Sequence, residues 1–304
     1  MFDPTRLIIN AFIKRLEESY SDIYSTMESG YPNMINFIGK MALENIANCD
    51  AAYHDLYHTI MVADVGKEVL RGKHILEGGV SPYEWLHFVV AALCHDIGYI
   101  RGICPGDTPG KYVINEAGDT TELPKGATDA SLTRYHVERS KIFVKSRFRS
   151  VKQIDDVLIC QLIDRTKFPV PDSQEYQTTD DLPGLLRASD LIGQMADMTY
   201  AKKSSALFIE FEELGIAKEM GYKSGADLRL KYPEFFWNNV SPLVKNAIRY
   251  LRVTLTGKKW LANLYSNIFM EEHSALWFGA EKGLLTGNEN PFNLPIEVEG
   301  GNGY

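Results

Sequence analysis

The stretch YEWLHFVVAALCHD, residues 83–96, decides the fold. Its apolar residues lie on nearly every side of an α-helix, so the helix has no face to give to water and belongs in the core of a larger helical body. Ser81-Pro82 opens it with an N-cap followed by proline at the first helical position. The stretch ends in His95-Asp96 and meets Gly98. An ionised aspartate beside Val90 and Leu93 is costly unless something compensates it, and a divalent cation would. Adjacent helix residues point about 100° apart, so both can grip one ion only near a helix end or bend. Gly98 supplies a place for that bend.

Helical spacing continues on both sides. In PTRLIINAFIKRLEESYSDIY, Leu7, Ile8, Phe12, Ile13 and Leu16 form one stripe, and NMINFIGKMALENIANC repeats the pattern. LYHTIMVADVGKEVLRG runs for several turns, and Gly72 reads as the glycine that stops it. From Ile100 to Lys125 the pattern breaks at Gly102, Pro105, Gly106, Pro109, Gly110, Gly118 and Pro124. Within that insertion KYVIN-EAGD-TTEL reads as a short β-hairpin near 111–123. A lid, a dimer contact and a passive surface excursion are all open for it. Helix resumes at TDASLTRYHVERSKIFVKSRF, with Thr128 or Asp129 as N-cap, and then at VKQIDDVLICQLIDR. DLPGLLRASDLIGQMADMTYAKK begins near Pro183, and further helical stretches reach about Gly283. The expectation is one all-α domain. Helices of 1–50 pack on a core of 51–203, which carries the insertion 100–127; helices of 204–285 complete it, and a loose tail of 286–304 follows.

The 304 residues are 45% hydrophobic and 24% charged, which is ordinary for a globular chain. A net charge of −8 argues against a broad basic surface for duplex nucleic acid or anionic lipid. An anionic substrate would need a local positive centre, such as a metal ion. The N-terminus lacks a signal-peptide core, and the longest apolar run, FVVAALC, is too short to span a bilayer. Cys49, Cys94, Cys104 and Cys160 form no C-x-x-C and read as reduced thiols of a cytoplasmic protein.

YHDLYH, residues 53–58, sets His54 and His58 four positions apart. On one helix face, one could bind a metal while the other faces the substrate. Asp190, in LLRASDLIGQMAD, is again a carboxylate among core residues, here Leu185, Leu186, Leu191 and Ile192. The order His58, His95-Asp96, Asp190 resembles the H…HD…D signature of the HD-domain metal-dependent phosphohydrolases. YHDLYH is also similar to the YHNxxH segment of class I cyclic-nucleotide phosphodiesterases, a related helical group. The motifs cover about residues 50–200. The resemblance implies an HD-domain helical bundle in which His58, His95, Asp96 and Asp190 ligate a first metal. It implies that Asp96 bridges to any second metal, that His54 protonates the leaving oxygen, and that His136 serves a second metal or the phosphate. Asp55 stands where the phosphodiesterases have asparagine, and Tyr99 where they have a further histidine. Relatives with more histidines would place them near LIDRTKF, where Asp164 is the substitute. Arg139, with Arg134, is a candidate phosphate contact in a basic stretch. His74, His87 and His273 read as structural or solvated.

The expected function is metal-dependent hydrolysis of a small phosphoester, a nucleotide or cyclic nucleotide. A metal-bound hydroxide would attack phosphorus, and His54 would give a proton to the departing oxygen. Mixed histidine and carboxylate ligands suit Mn, Fe, Co, Ni or Zn, and a second ion such as Mg is compatible. Two other classes stay open: a di-iron oxygenase of the HD type, and an HD-like module that holds a nucleotide without cleaving it. A homo-oligomer is compatible with each.

Overall fold

A computed structural model of the chain describes residues 2–283, with side chains described through residue 273. The tail of 286–304 lies outside the described residues. The order is α1 (Pro4–Tyr24), α2 (Tyr31–Ile46), α3 (Leu56–Glu77), α4 (Pro82–Cys94), β1 (Lys111–Val113), β2 (Thr120–Glu122), α5 (His136–Phe148), α6 (Asp156–Asp164) and α7 (Leu182–Met195). Then come α8 (Tyr200–Glu213), α9 (Ile216–Glu219), α10 (Gly225–Phe235), α11 (Ser241–Leu251) and α12 (Leu255–Gly283). The fold is all-α with one short hairpin. No helix among the described residues is long and apolar enough to cross a membrane.

α4 is the central helix, as its sequence requires: every residue from Trp85 to Cys94 is buried. The Ser81 hydroxyl accepts from the Glu84 backbone, and the Glu84 carboxylate accepts from the Ser81 backbone, a reciprocal cap that fixes where the helix starts. α2, α3, α6 and α7 pack around α4, and one continuous apolar core joins residues from α1 to α12.

Three local expectations need correcting. On α1 the buried stripe is Ile9, Phe12, Ile13, Leu16, Tyr20 and Tyr24, while Leu7 is exposed. At about 100° per residue Leu7 lies some 160° around the helix from Ile9, on the far side from the core. α3 does not stop at Gly72 but runs to Glu77 and is closed by Gly78, whose φ of 69° suits glycine. Gly72 instead marks a helix crossing: a Cβ there would sit 2.1 Å from the carbonyl oxygen of Tyr250 on α11. The third correction concerns α5, which begins only at His136. Thr128 does act as an N-cap, but of a single tight turn, Asp129–Leu132. The carbonyls of Ala130 and Thr133, which would continue a helix, are taken by the side chains of Thr133 and His136.

The hairpin pairs Lys111 with Glu122, Tyr112 with Thr121 and Val113 with Thr120. Its base is fastened by Arg139, which is fully buried. The guanidinium donates to the carbonyls of Gly98, Val113 and Ile100 and to both oxygens of Asp107. Arg101, bonded to Asp129 and Asp50, ties the start of the insertion to the turn before α5.

Candidate metal centre

The site forms where the start of α3, the end of α4 and the middle of α7 meet. α3 and α7 can approach closely because Gly193 lies against the backbone of Val62. That approach brings Asp190 to His58. Asp55 caps α3 by accepting from the backbone N–H of His58 at 2.9 Å, and its other oxygen accepts from Lys203 at 2.7 Å. His54 therefore precedes the helix rather than sharing its face with His58, although the two rings still meet edge-on at 5.6 Å between centroids. His95 and Asp96 leave the end of α4 together. Gly98 allows the turn that follows, because a Cβ there would lie 2.0 Å from the carbonyl oxygen of His136.

Nε2 of His58 lies 3.2 Å from Oδ1 of Asp190 and 3.3 Å from Oδ2 of Asp96. Nε2 of His95 lies 3.1 Å from the same Asp96 oxygen. One ligand atom each from His58, His95 and Asp190 can be chosen within 4.8 Å of one another, the spacing of a cation's shell. His95 donates its Nδ1–H to the carbonyl of Ala92 at 2.8 Å, which leaves Nε2 as a lone pair. That nitrogen and Asp96 Oδ2 are both buried and neither has a hydrogen-bond partner. Two electron-rich atoms facing each other in the interior need a cation or a proton between them. The donors therefore fit a divalent ion of the Mn to Zn series.

The electrostatics agree. Burial lowers the proton affinity of His58, but the carboxylates of Asp190 and Asp96 close to its Nε2 outweigh it and lift its pKa to about 10. His95 is raised by the same contest between burial and the two carboxylates. Burial resists ionisation of Asp96, yet His95 and His58 hold it well below the usual carboxylate range.

His136 donates Nδ1–H to the carbonyl of Thr133 and turns Nε2 toward Asp96 Oδ1 at 3.7 Å. Its pKa is lowered by burial, against the pull of Asp96. Side chains of His54, Asp190 and His136 are 15–20% exposed, while those of His58, His95 and Asp96 are at most 5% exposed. The mouth is therefore on the side of the first three.

Two proposed contacts are not available. Arg139 has all five donors committed to the insertion, so it offers nothing to a phosphate. Asp164 accepts from Lys141 and Lys167 through one oxygen and from the Tyr176 hydroxyl through the other, which makes it a clasp between α6 and its neighbours. His87 is structural, with Nδ1 bonded to the carbonyl of Tyr83 and Nε2 accepting from the backbone of Asp155. One residue beside the site was missed. Glu210 on α8 is buried and accepts from the backbone of Tyr53 at 2.6 Å, the backbone of His54 at 3.1 Å and Nδ1–H of His54 at 2.7 Å. Burial resists its ionisation, but His54 and the two backbone donors lower its pKa.

A family model described as Npun_R2479-like matches residues 2–274. The chain belongs to the Npun_R2479-like family. The match runs from α1 into α12, so this Npun_R2479-like domain includes every residue of the centre and Glu210. No curated protein gives a significant match to the chain.

Proposed function

We propose that this protein is a metal-dependent phosphohydrolase acting on a small phosphoester, a nucleotide or cyclic nucleotide. One observation carries the reading: His58, His95, Asp96 and Asp190 converge on a buried point, and His54 stands beside it in contact with a buried carboxylate. The order of these residues along the chain, similar to that of the HD-domain hydrolases, points the same way. His58, His95, Asp96 and Asp190 would hold the cation, with His136 near enough to Asp96 to serve a second. Such an ion supplies positive charge for the phosphate and acidifies water for attack on phosphorus. The chain's own part is proton transfer. Glu210 fixes Nδ1–H of His54 and leaves Nε2 to protonate the leaving oxygen as its bond to phosphorus breaks. The proton lost by the attacking water then restores His54.

A pair of irons fits less well, because Asp164 is engaged by Lys141, Lys167 and Tyr176. Four unpaired cysteines, three of them buried, suit a reducing compartment such as the cytoplasm.

The test is elemental analysis of the purified protein together with hydrolysis of bis-p-nitrophenyl phosphate in added Mn, for wild type and Asp96→Ala. We expect bound transition metal and turnover in the wild type, and loss of both in the variant. Hydrolysis undiminished in Asp96→Ala overturns the reading. Bound iron without hydrolysis would favour the oxygenase, and tight nucleotide binding without turnover in any metal would favour the binding module.

A further inference from the structure

A surface helix ordinarily turns an apolar stripe toward the core. α8 does not. Of its apolar side chains only Tyr200 packs against the apolar core of the described residues, and only Ser204 and Glu210 are buried. α10 holds its first turns. The rings of Tyr200 and Tyr232 are 4.1 Å apart, Arg229 donates to the carbonyl of Ala201, and Gly225 lies so close to Ser205 that a Cβ would sit 2.8 Å from its Cα. Lys203, in this half, pairs with Asp55 at 2.7 Å. The far half is fastened by two carboxylates. Glu210 accepts from the backbone N–H groups of Tyr53 and His54 and from the His54 ring. Glu213 accepts from the N–H of Thr128 at 2.9 Å, from its hydroxyl at 2.7 Å and from the hydroxyl of Ser131, in the turn that leads to His136. One end of α8 thus grips the two segments that carry the outer histidines of the site. Glu213 is exposed, so water competes for its bonds and they add little stability. A helix packed at one end and held by such bonds at the other can lift at the second without opening the core.

We infer that α8 is a hinged wall of the site: it pivots on α10, latches through Glu210 and Glu213, and when lifted widens the mouth beside His54. Lifting also takes Glu210 away from His54, so the imidazole is held only while the wall is shut. What passes through the mouth rests on the metal reading of the site; the hinge itself does not.

Glu213→Ala cuts the latch at a residue that touches neither the centre nor His54. Exchange of backbone amide hydrogens, followed by NMR, reads the hinge. In wild type the N–H groups of Tyr53 and His54 should exchange at least about a hundredfold faster than those of α4, because lifting α8 frees them without unfolding the core. In Glu213→Ala they keep their own acceptor, Glu210, yet should exchange about tenfold faster again. Exchange as slow as that of α4 in wild type would overturn the inference, and so would unchanged rates at Tyr53 and His54 in the variant. If the variant does not fold, the wild-type comparison decides. Passage is read with Mn. Excess EDTA should strip Mn from Glu213→Ala about tenfold faster, and uptake should quicken equally, so that affinity holds within about twofold. A gate changes both rates together, whereas a disturbed ligand set changes affinity. Faster loss with a matching fall in affinity, or unchanged rates, would overturn the gating role. If wild-type protein takes up no Mn, the metal reading fails and the exchange rates alone decide the hinge.

Discussion

Two carboxylates, Asp96 and Asp190, face two imidazoles whose proton affinities are raised. Protons on His58 and His95 and a divalent cation are thus alternative ways of balancing the same charge. With the pKa of His58 lifted to about 10, a metal entering at neutral pH would have to displace its proton. Metal uptake at pH 7 should release at least one proton per ion, measurable by calorimetry in buffers of different ionisation enthalpy. Affinity should rise with pH up to that of His58. Uptake without proton release would show that the imidazoles are already neutral. Glu210→Gln makes a second test at this scale. It keeps one oxygen to accept from the backbone N–H groups of Tyr53 and His54 but removes the charge beside the His54 ring. Turnover should fall by about tenfold or more while metal content is unchanged. The three glutamates of FIEFEELG look alike in the sequence, and only the return of α8 over residues 53–54 singles out Glu210. Arg139 was misread for a related reason. It lies in a basic stretch, but its partners are up to 41 residues away along the chain.

Among the helices, what was legible was what is local. α4 declared itself by its unbroken apolar composition, its start by Ser81-Pro82, and the hairpin by the glycine in its turn. A crossing is not local, and so Gly72 looked like an end when it is a point of contact. Gly72→Ala should force α3 and α11 apart and cost about 2–3 kcal/mol, measured by urea unfolding. Gly78→Ala, which meets open space but a positive φ, should cost only about 1 kcal/mol. The α6 clasp gives a pH-dependent term. Burial opposes ionisation of Asp164, but Lys141, Lys167 and Tyr176 win and bring its pKa to about 2. Its folded pKa is below the unfolded one, so this stability is complete above about pH 4 and is lost as pH falls toward 2. The term is worth no more than about 2 kcal/mol before solvent screening reduces it. Asp164→Asn should flatten that part of the acid unfolding curve.

At the scale of the molecule, the base of the insertion is fastened by the fully buried ion pair of Arg139 and Asp107. Asp107 gives both oxygens to Arg139 and also accepts from the backbones of Gly102, Cys104 and Val113. Asp107→Ala strands a buried guanidinium and should cost about 3–5 kcal/mol, with faster proteolysis within 100–127. Unchanged stability would mean that solvent reaches Arg139. The carboxylate that steadies His54 comes from α8, a helix whose only buried residues are Ser204 and Glu210. During synthesis, the four residues proposed to hold metal have all left the ribosome once Asp190 emerges, and the partner of His54 follows twenty residues later. A chain cut short between residues 195 and 209 would therefore carry all four proposed ligands and still lack the carboxylate that contacts His54.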